Sequence, residues 1–271
     1  MRKFHIFTDL DGTLLGKEDY RYEVNVQLIS DLKLKGIGIS LNTSKTLSET
    51  ECWQYKLGLD SPFIVENGAA ILFPKNNFEL EQLKPHKVES RGRYFCIVLG
   101  MKIDNLEGLY RPYAERVSSL IHCPKNEARS LTGLGGSDLQ RARAREFTLP
   151  LIIPDPSIKQ ELASVASQIG ARLIEGGRFC HLQGNSDKGS AMLIAKKIIE
   201  ENLKVEVISI SLGDSENDLE MLRAAEYGIY LGSDQKMINE CARNNISIEN
   251  AAAPDGWGKA LKKALEHYSV D

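Results

Sequence analysis

An α/β fold, with a parallel-sheet core split by an inserted α+β domain, is what the sequence predicts. Apolar, strand-like runs alternate with helical patterns through the first third of the chain, and the alternation returns in the last third. Between them, residues 84–183 carry a different pattern and a different charge. Strands and helices alternating at this spacing build a mostly parallel sheet with helices on both faces. The expected division is a core of residues 1–83 and 184–271 around an insert of residues 84–183.

Taken in order, residues 3–8 read as a buried strand that stops at Asp9-Leu10-Asp11-Gly12-Thr13. A helix follows, with Val24, Leu28, Ile29 and Leu32 on one face and Gly36 as its stop. Residues 37–41 form a second strand, ending at Asn42-Thr43-Ser44-Lys45, and a helix runs through Trp53 and Tyr55 to Gly58. A third strand, 63–65, is closed by the turn signal Glu66-Asn67-Gly68. In the insert, strands are expected over 94–99, 147–153, 172–175 and 179–182, with helices over 106–120 and 158–169. The core resumes with a helix over 188–203 and an apolar strand over 205–212 ending in Gly213-Asp214. A helix over 217–225, a strand over 227–231 and a last helix over 257–268 complete it.

Composition narrows the function. A hydrophobic fraction of 42% and a charged fraction of 26% exclude a largely disordered chain. No apolar run approaches the roughly 20 residues of a membrane helix. The opening MRKFHIFTDLDG is interrupted by His5 and Asp9, so no cleaved leader is expected. A net charge of −3 offers no global basic field for nucleic acid. The charge is uneven: the insert balances at +5 and the rest at −8, and 10 of the 14 arginines lie in the insert. Most of these read as a solvated surface, while a few suit an anionic substrate held against an acidic core. Five cysteines without metal-site spacing read as free thiols in a reducing cytoplasm.

Four stretches carry the chemistry. Asp9 and Asp11 stand at the end of a buried strand, where ligands of open α/β sheets bind. A single strand-ending Asp is an ordinary turn residue; two of them around a leucine, followed by Gly-Thr, fit that role poorly. Gly12 lets the chain turn so that the two carboxylates aim differently. Gly213-Asp214-Ser215-Glu216-Asn217-Asp218 also follows an apolar strand, and Asp218 alone suits a helix cap. If the two strands are neighbours, the acids converge and cannot all stay ionised without a cation. Oxygen ligands of this kind favour Mg²⁺. Thr43 and Ser44 open a helix after the second strand, a place suited to anions, although helix capping is the ordinary role there. Lys188 opens another helix, where a lysine opposes the dipole unless an anion is bound.

This order of motifs resembles the haloacid-dehalogenase superfamily, whose core is a Rossmann-like parallel sheet, and the insert lies where that superfamily's larger, sheet-containing cap lies. A closer resemblance is to the mannosyl-3-phosphoglycerate phosphatase family. It rests on Ser44-Lys45-Thr46, Glu66-Asn67-Gly68-Ala69, Arg145-Glu146-Phe147, Gly176-Gly177-Arg178-Phe179, His181-Leu182 and Asp187-Lys188-Gly189. Most sugar phosphatases with this cap have Thr-Gly-Arg where this chain has Thr43-Ser44-Lys45; Ala69 departs from a glycine common in the closer family.

The resemblance implies a Mg²⁺-dependent phosphatase. Asp9 is then the nucleophile and Asp11 the general acid and base. The metal is held by the Asp9 carboxylate, the Asp11 carbonyl and Asp214, with Asp218 a ligand or beside one. Thr43, the Ser44 backbone and Lys188 hold phosphoryl oxygens. Lys45, Asn67, Arg145, Arg178 and His181 are the expected substrate-binding residues: the arginines for a glycerate carboxylate, Asn67 and His181 for hydroxyls. The expected substrate is mannosyl-3-phosphoglycerate. Its glucosyl counterpart or another sugar phosphate is the alternative, followed by phosphomutase action. A non-catalytic binding protein is disfavoured by the full set of polar residues, and dinucleotide binding by the lack of GxGxxG. No nucleic-acid or membrane partner is expected, and the sequence is silent on oligomeric state.

Overall fold

The computed structural model describes residues 2–175 and 179–268. The first part of the chain forms β1 (Arg2–Thr8), α1 (Glu23–Leu34), β2 (Gly38–Leu41), α2 (Leu47–Lys56), β3 (Phe63–Val65), β4 (Ala70–Pro74), β5 (Val88–Arg91) and β6 (Tyr94–Val98). Next come α3 (Ile103–Tyr110), β7 (Ser118–Ser119), α4 (Lys125–Thr132), α5 (Gly136–Arg143), β8 (Thr148–Ile152), α6 (Pro156–Gln168), β9 (Ala171–Glu175) and β10 (Cys180–Gly184). The chain closes with α7 (Lys188–Leu203), β11 (Glu206–Gly213), α8 (Leu219–Ala224), β12 (Tyr227–Tyr230), α9 (Gln235–Arg243), β13 (Ser247–Ile248) and α10 (Asp255–His267).

The central sheet has the order β13-β12-β11-β1-β2, and every pairing in it is parallel. Neighbouring side chains along β1 point to opposite faces. Ile6 packs with Ile29, Leu32, Trp257 and Leu261 of α1 and α10, whereas Phe7 packs with Ala191, Met192 and Ala195 of α7. Burial on both faces explains why Ile6 and Phe7, consecutive residues of β1, are both apolar. The indole N–H of Trp257 donates to Thr8 Oγ1 at 3.0 Å, which fastens α10 to the functional end of β1.

Two further sheets are antiparallel: β3-β4-β6-β5 and β7-β8-β10-β9. The third strand of the first segment, β3, pairs antiparallel with β4 on one side and keeps the expected parallel direction towards β2 on the other. A parallel bridge, Asn42 to Ile64, makes that link at the end of β2. Glu66, Asn67 and Gly68 take consecutive left-handed conformations (φ +48°, +58° and +86°), and this reverses the chain into β4. The expected start of the insert at residue 84 falls inside that sheet. Ile71 and Phe73 of β4 and Ile97 of β6 share a hydrophobic cluster with α7, so β5 and β6 sit with the core elements. A separate cluster, including Leu106, Tyr110, Leu149, Leu162 and Leu182, forms the centre of the later elements.

The helix expected over 106–120 instead ends at Tyr110, with a short 3₁₀ turn at Arg111–Tyr113, because Pro112 lacks an N–H for the helix ladder. The two crossings between core and insert run side by side. Leu99 and Gly100 N–H both donate to Ala69 O, at 2.8 and 2.9 Å. A Cβ on Gly184 would lie 2.8 Å from Met101 N, so only glycine fits where the returning strand meets the departing one.

Candidate active site

Asp9 and Asp214 leave the sheet at one edge because β1 and β11 are parallel neighbours, with Thr8 opposite Leu212. The Asp9 N–H extends that ladder by donating to Leu212 O at 2.9 Å. Carboxylate oxygens of Asp9, Asp214 and Asp218 all lie within 4.8 Å of one another. Lys188, the first residue of α7, reaches into this group. Its Nζ lies 2.6 Å from Asp9 Oδ1 and 2.6 Å from Asp218 Oδ1, with the lysine side chain wholly buried. The helix starts there because Asp187 caps it, accepting from Ser190 N at 2.8 Å. Asp218 Oδ2 accepts from the N–H groups of Asp214 and Ser215, both at 3.1 Å, which fixes the loop that carries Asp214.

Burial pushes the Asp9 carboxyl above its usual range; Lys188 opposes the rise, and the charges of Asp218 and Asp214 add to it. Burial and Asp218 likewise raise Asp214. For Lys188, burial acts downward, but the two carboxylates it touches more than reverse that, so its ammonium is held charged. Three acids against one buried lysine leave negative charge to be neutralised. The oxygen-only donor set, drawn from two strand ends and one helix start, fits a hard divalent cation such as Mg²⁺. Lys17, largely exposed, adds a weaker contact, with Nζ 3.4 Å from Asp214 Oδ2.

Asp11 turns another way. Gly12 sits at φ +80°, and a Cβ there would come within 2.4 Å of Asp214 Oδ2. The tight turn carries the Asp11 carboxylate to Lys45, Oδ2 to Nζ 2.6 Å, while Oδ1 is buried with no partner. Lys45 also lies 5.2 Å over the Tyr20 ring and 4.0 Å from Glu49. Burial acts to lower its pKa, but Asp11 and Glu49 outweigh burial and raise it.

The loop bearing Thr43, Ser44 and Lys45 is braced from the neighbouring turn. Thr43 N–H donates to Ile64 O, Glu66 N–H to Lys45 O and Asn67 N–H to Thr43 O, at 2.9–3.0 Å. Thr43 is buried, and its hydroxyl accepts from Lys45 N at 3.2 Å. Thr46, not Thr43 or Ser44, caps α2, in a reciprocal box with Glu49.

A cavity of about 240 Å³ opens between these residues and the insert; Asp9, Asp11, Ser44, Lys45 and Asp214 line one side, and Arg145, Phe179 and His181 the other. Larger hollows of 480 and 790 Å³ lie wholly within the insert and contain none of the core acids. The smaller one is therefore the candidate site. Burial, with Arg145 and Lys188 nearby, lowers the His181 pKa to about 3, so the ring is neutral, and its buried Nδ1 has no partner.

A sequence profile of the haloacid dehalogenase-like hydrolases matches residues 6–95 and 180–261. The chain belongs to that family. It is 34% identical to the glucosyl-3-phosphoglycerate/mannosyl-3-phosphoglycerate phosphatase of Persephonella marina, over 96% of each chain. It is 31% identical to the mannosyl-3-phosphoglycerate phosphatase of Pyrococcus furiosus, over 90% of this chain and 96% of that one. This haloacid dehalogenase-like hydrolase is accordingly a phosphatase, a phosphoric monoester hydrolase. The sucrose-phosphatase of Synechocystis sp. PCC6803 shares its fold, with a TM-score of 0.61 at 14% identity over 99% of both chains.

Not every residue expected in the phosphatase's site lines the cavity. Asn67 is buried between Gln183, to which its amide donates at 3.0 Å, and Asn217, whose amide donates to it at 3.0 Å. Arg145 reaches the cavity but spends its guanidinium on Ser44 O (2.8 Å), Thr148 Oγ1 (2.9 Å) and Ala142 O (3.2 Å). Arg178 lies outside the described residues. Two participants escaped the sequence reading. Lys17 stands four residues after Thr13, and its closeness to the paired aspartates was the available signal. Glu66 reads as a turn residue, yet its buried carboxylate accepts from Glu146 N, Phe147 N and Thr148 Oγ1 at 2.9, 3.1 and 2.7 Å.

Proposed function

We propose that this phosphatase hydrolyses mannosyl-3-phosphoglycerate to mannosylglycerate and phosphate through an aspartyl-phosphate. The observation that carries the chemistry is Asp9, held by Lys188 beside Asp214 and Asp218 while Asp11 is directed separately to Lys45. An Asp9 oxygen attacks phosphorus, and the bond to the leaving glycerate oxygen breaks. Asp11 gives that oxygen its proton, then takes one from the water that cleaves the Asp9–phosphoryl bond. Lys188 favours the ionised form of Asp9 against the effect of burial and, with Thr43 and the Ser44 backbone, meets charge on the phosphoryl oxygens. A Mg²⁺ ion held by the Asp9 and Asp214 carboxylates and the Asp11 carbonyl, with Asp218 adjacent, supplies further charge neutralisation when bound.

The insert is proposed to select the substrate. His181, neutral and with an unpaired ring nitrogen on the cavity, suits a sugar or glycerate hydroxyl. Arg178 is proposed for the glycerate carboxylate. Arg145, Lys45 and Asn67 act in this reading by shaping the pocket, since each is already bonded to protein. The glucosyl counterpart is the second reading, favoured by the Persephonella marina relative, whose name covers both sugars. We also place the phosphatase in the cytoplasm, on the strength of five free cysteines. A phosphate-release screen over glycosyl-phosphoglycerates and simple sugar phosphates tests the assignment. Preferred turnover of a hexose phosphate without a glycerate would defeat it, and dependence on an added bisphosphate would point to a phosphomutase.

A further inference from the structure

The hydrogen bonds of Glu66, Thr148, Arg145 and Ser44 form one continuous chain that crosses from core to insert and back. Thr148, wholly buried, donates its hydroxyl proton to Glu66 Oε2 at 2.7 Å. The same hydroxyl oxygen accepts from Arg145 Nη1 at 2.9 Å, and that nitrogen also donates to Ser44 O at 2.8 Å. Glu66 and Ser44 belong to core loops that are themselves joined, Glu66 N–H to Lys45 O. Thr148 and Arg145 lie at the entrance to β8 of the insert. A hydroxyl has one proton to give, and here it goes to the carboxylate, which leaves the oxygen lone pairs for the guanidinium. The orientation of Arg145 is thereby set by Thr148, and the backbone of the phosphate-side loop by Arg145.

We infer that Glu66, Thr148 and Arg145 are positioning residues that hold the Ser44 segment in its working geometry only while the insert is seated on the core. If the insert lifts, the Arg145–Ser44 bond breaks and the loop facing the phosphoryl group keeps its bonds to residues 64–67 but loses the brace at Ser44. Asn67 to Gln183 and Thr46 to Arg141 are separate core–insert bonds, so losing the Thr148 hydroxyl does not free the insert. The consequence for turnover rests on the phosphatase reading above; the consequence for the loop does not.

Thr148→Val and Thr148→Ser separate positioning from packing. Valine keeps the shape and deletes the hydroxyl, whereas serine keeps the hydroxyl and loses a methyl. With p-nitrophenyl phosphate, kcat/KM is expected to fall roughly tenfold or more in Thr148→Val and to stay within about threefold of wild type in Thr148→Ser. Backbone hydrogen exchange of residues 42–48 should accelerate in Thr148→Val and Glu66→Gln and not in Thr148→Ser. The reverse order, with serine the more damaging change, would make Thr148 a packing residue and overturn the inference. So would unchanged exchange in Thr148→Val and Glu66→Gln. A wild-type protein that releases phosphate from no ester would defeat the phosphatase reading alone, and the exchange data would still decide the relay.

Discussion

On the core side of the cleft, charge is concentrated and paired: Asp9, Lys188 and Asp218 form a buried acid–lysine–acid bridge with Asp214 beside it. On the insert side, among the described residues lining the cleft, Arg145 is the one charged group. His181 is neutral, Arg145 is spent on carbonyl and hydroxyl oxygens, and Phe179 supplies apolar surface. Under the proposed function the contrast separates two tasks. A group that must carry a phosphoryl unit needs its ionisation fixed by close partners. A surface that must distinguish sugars needs shape and a few well-placed hydrogen bonds.

The contrast can be broken most severely at Asp9. Asp9→Asn should lower phosphate release by at least roughly a thousandfold on every substrate; activity within tenfold of wild type would remove Asp9 as nucleophile. Chelation by EDTA should stop release and added Mg²⁺ should restore it, because the acid cluster exceeds what Lys188 neutralises. Lys188→Met should cost about 3–5 kcal/mol in urea unfolding, since it leaves buried carboxylates without a counter-charge. Adding Asp218→Asn to that variant should return part of the loss, and a double variant no more stable than the single would contradict the pairing. On the other wall, His181→Ala should raise KM for mannosyl-3-phosphoglycerate about tenfold and leave p-nitrophenyl phosphate nearly unaffected. An equal change for both would remove His181 from substrate recognition.

The smallest effect concerns pH. Burial lowers His5 and His181 to about 3 in the folded protein. The unfolded chain protonates these rings near about 6.5, so it binds more protons than the folded state below that pH. Stability from both histidines is complete above that value and drains as pH falls toward 3. Replacing His181 by Asn should flatten the slope of unfolding free energy over this window by up to about 1.4 kcal/mol per pH unit. An unaltered slope, measured by urea unfolding at several pH values, would show that the ring is not buried neutral.

Strand ends were the most legible part of the chain. β1 and β11 are buried on both faces and stop at aspartates, so their termini and the acids after them could be read directly, as could Lys188 at the start of its helix. The turn at residues 66–68 was legible as a turn, but the antiparallel strand that follows it, β4, was not. A Glu and an Asn at positive φ look like any loop until a partner strand is known. For the same reason Glu66 passed as a turn residue, because its three donors come from residues 146–148. Helices α4 and α5 were missed because each is eight residues long and largely polar, and each buries only two side chains. Helical periodicity needs a longer apolar stripe before it rises above composition.

The two crossings between core and insert, pressed together where Gly184 leaves no room for a side chain against Met101, have a practical result. Since the exit and the return share one doorway, the intervening segment could be exchanged between relatives as a cassette, with only two cuts and no new span to bridge. A transplant that omitted a counterpart of the Thr148–Arg145 pair would still fold onto its host, yet arrive without the brace its host's phosphate-side loop depends on.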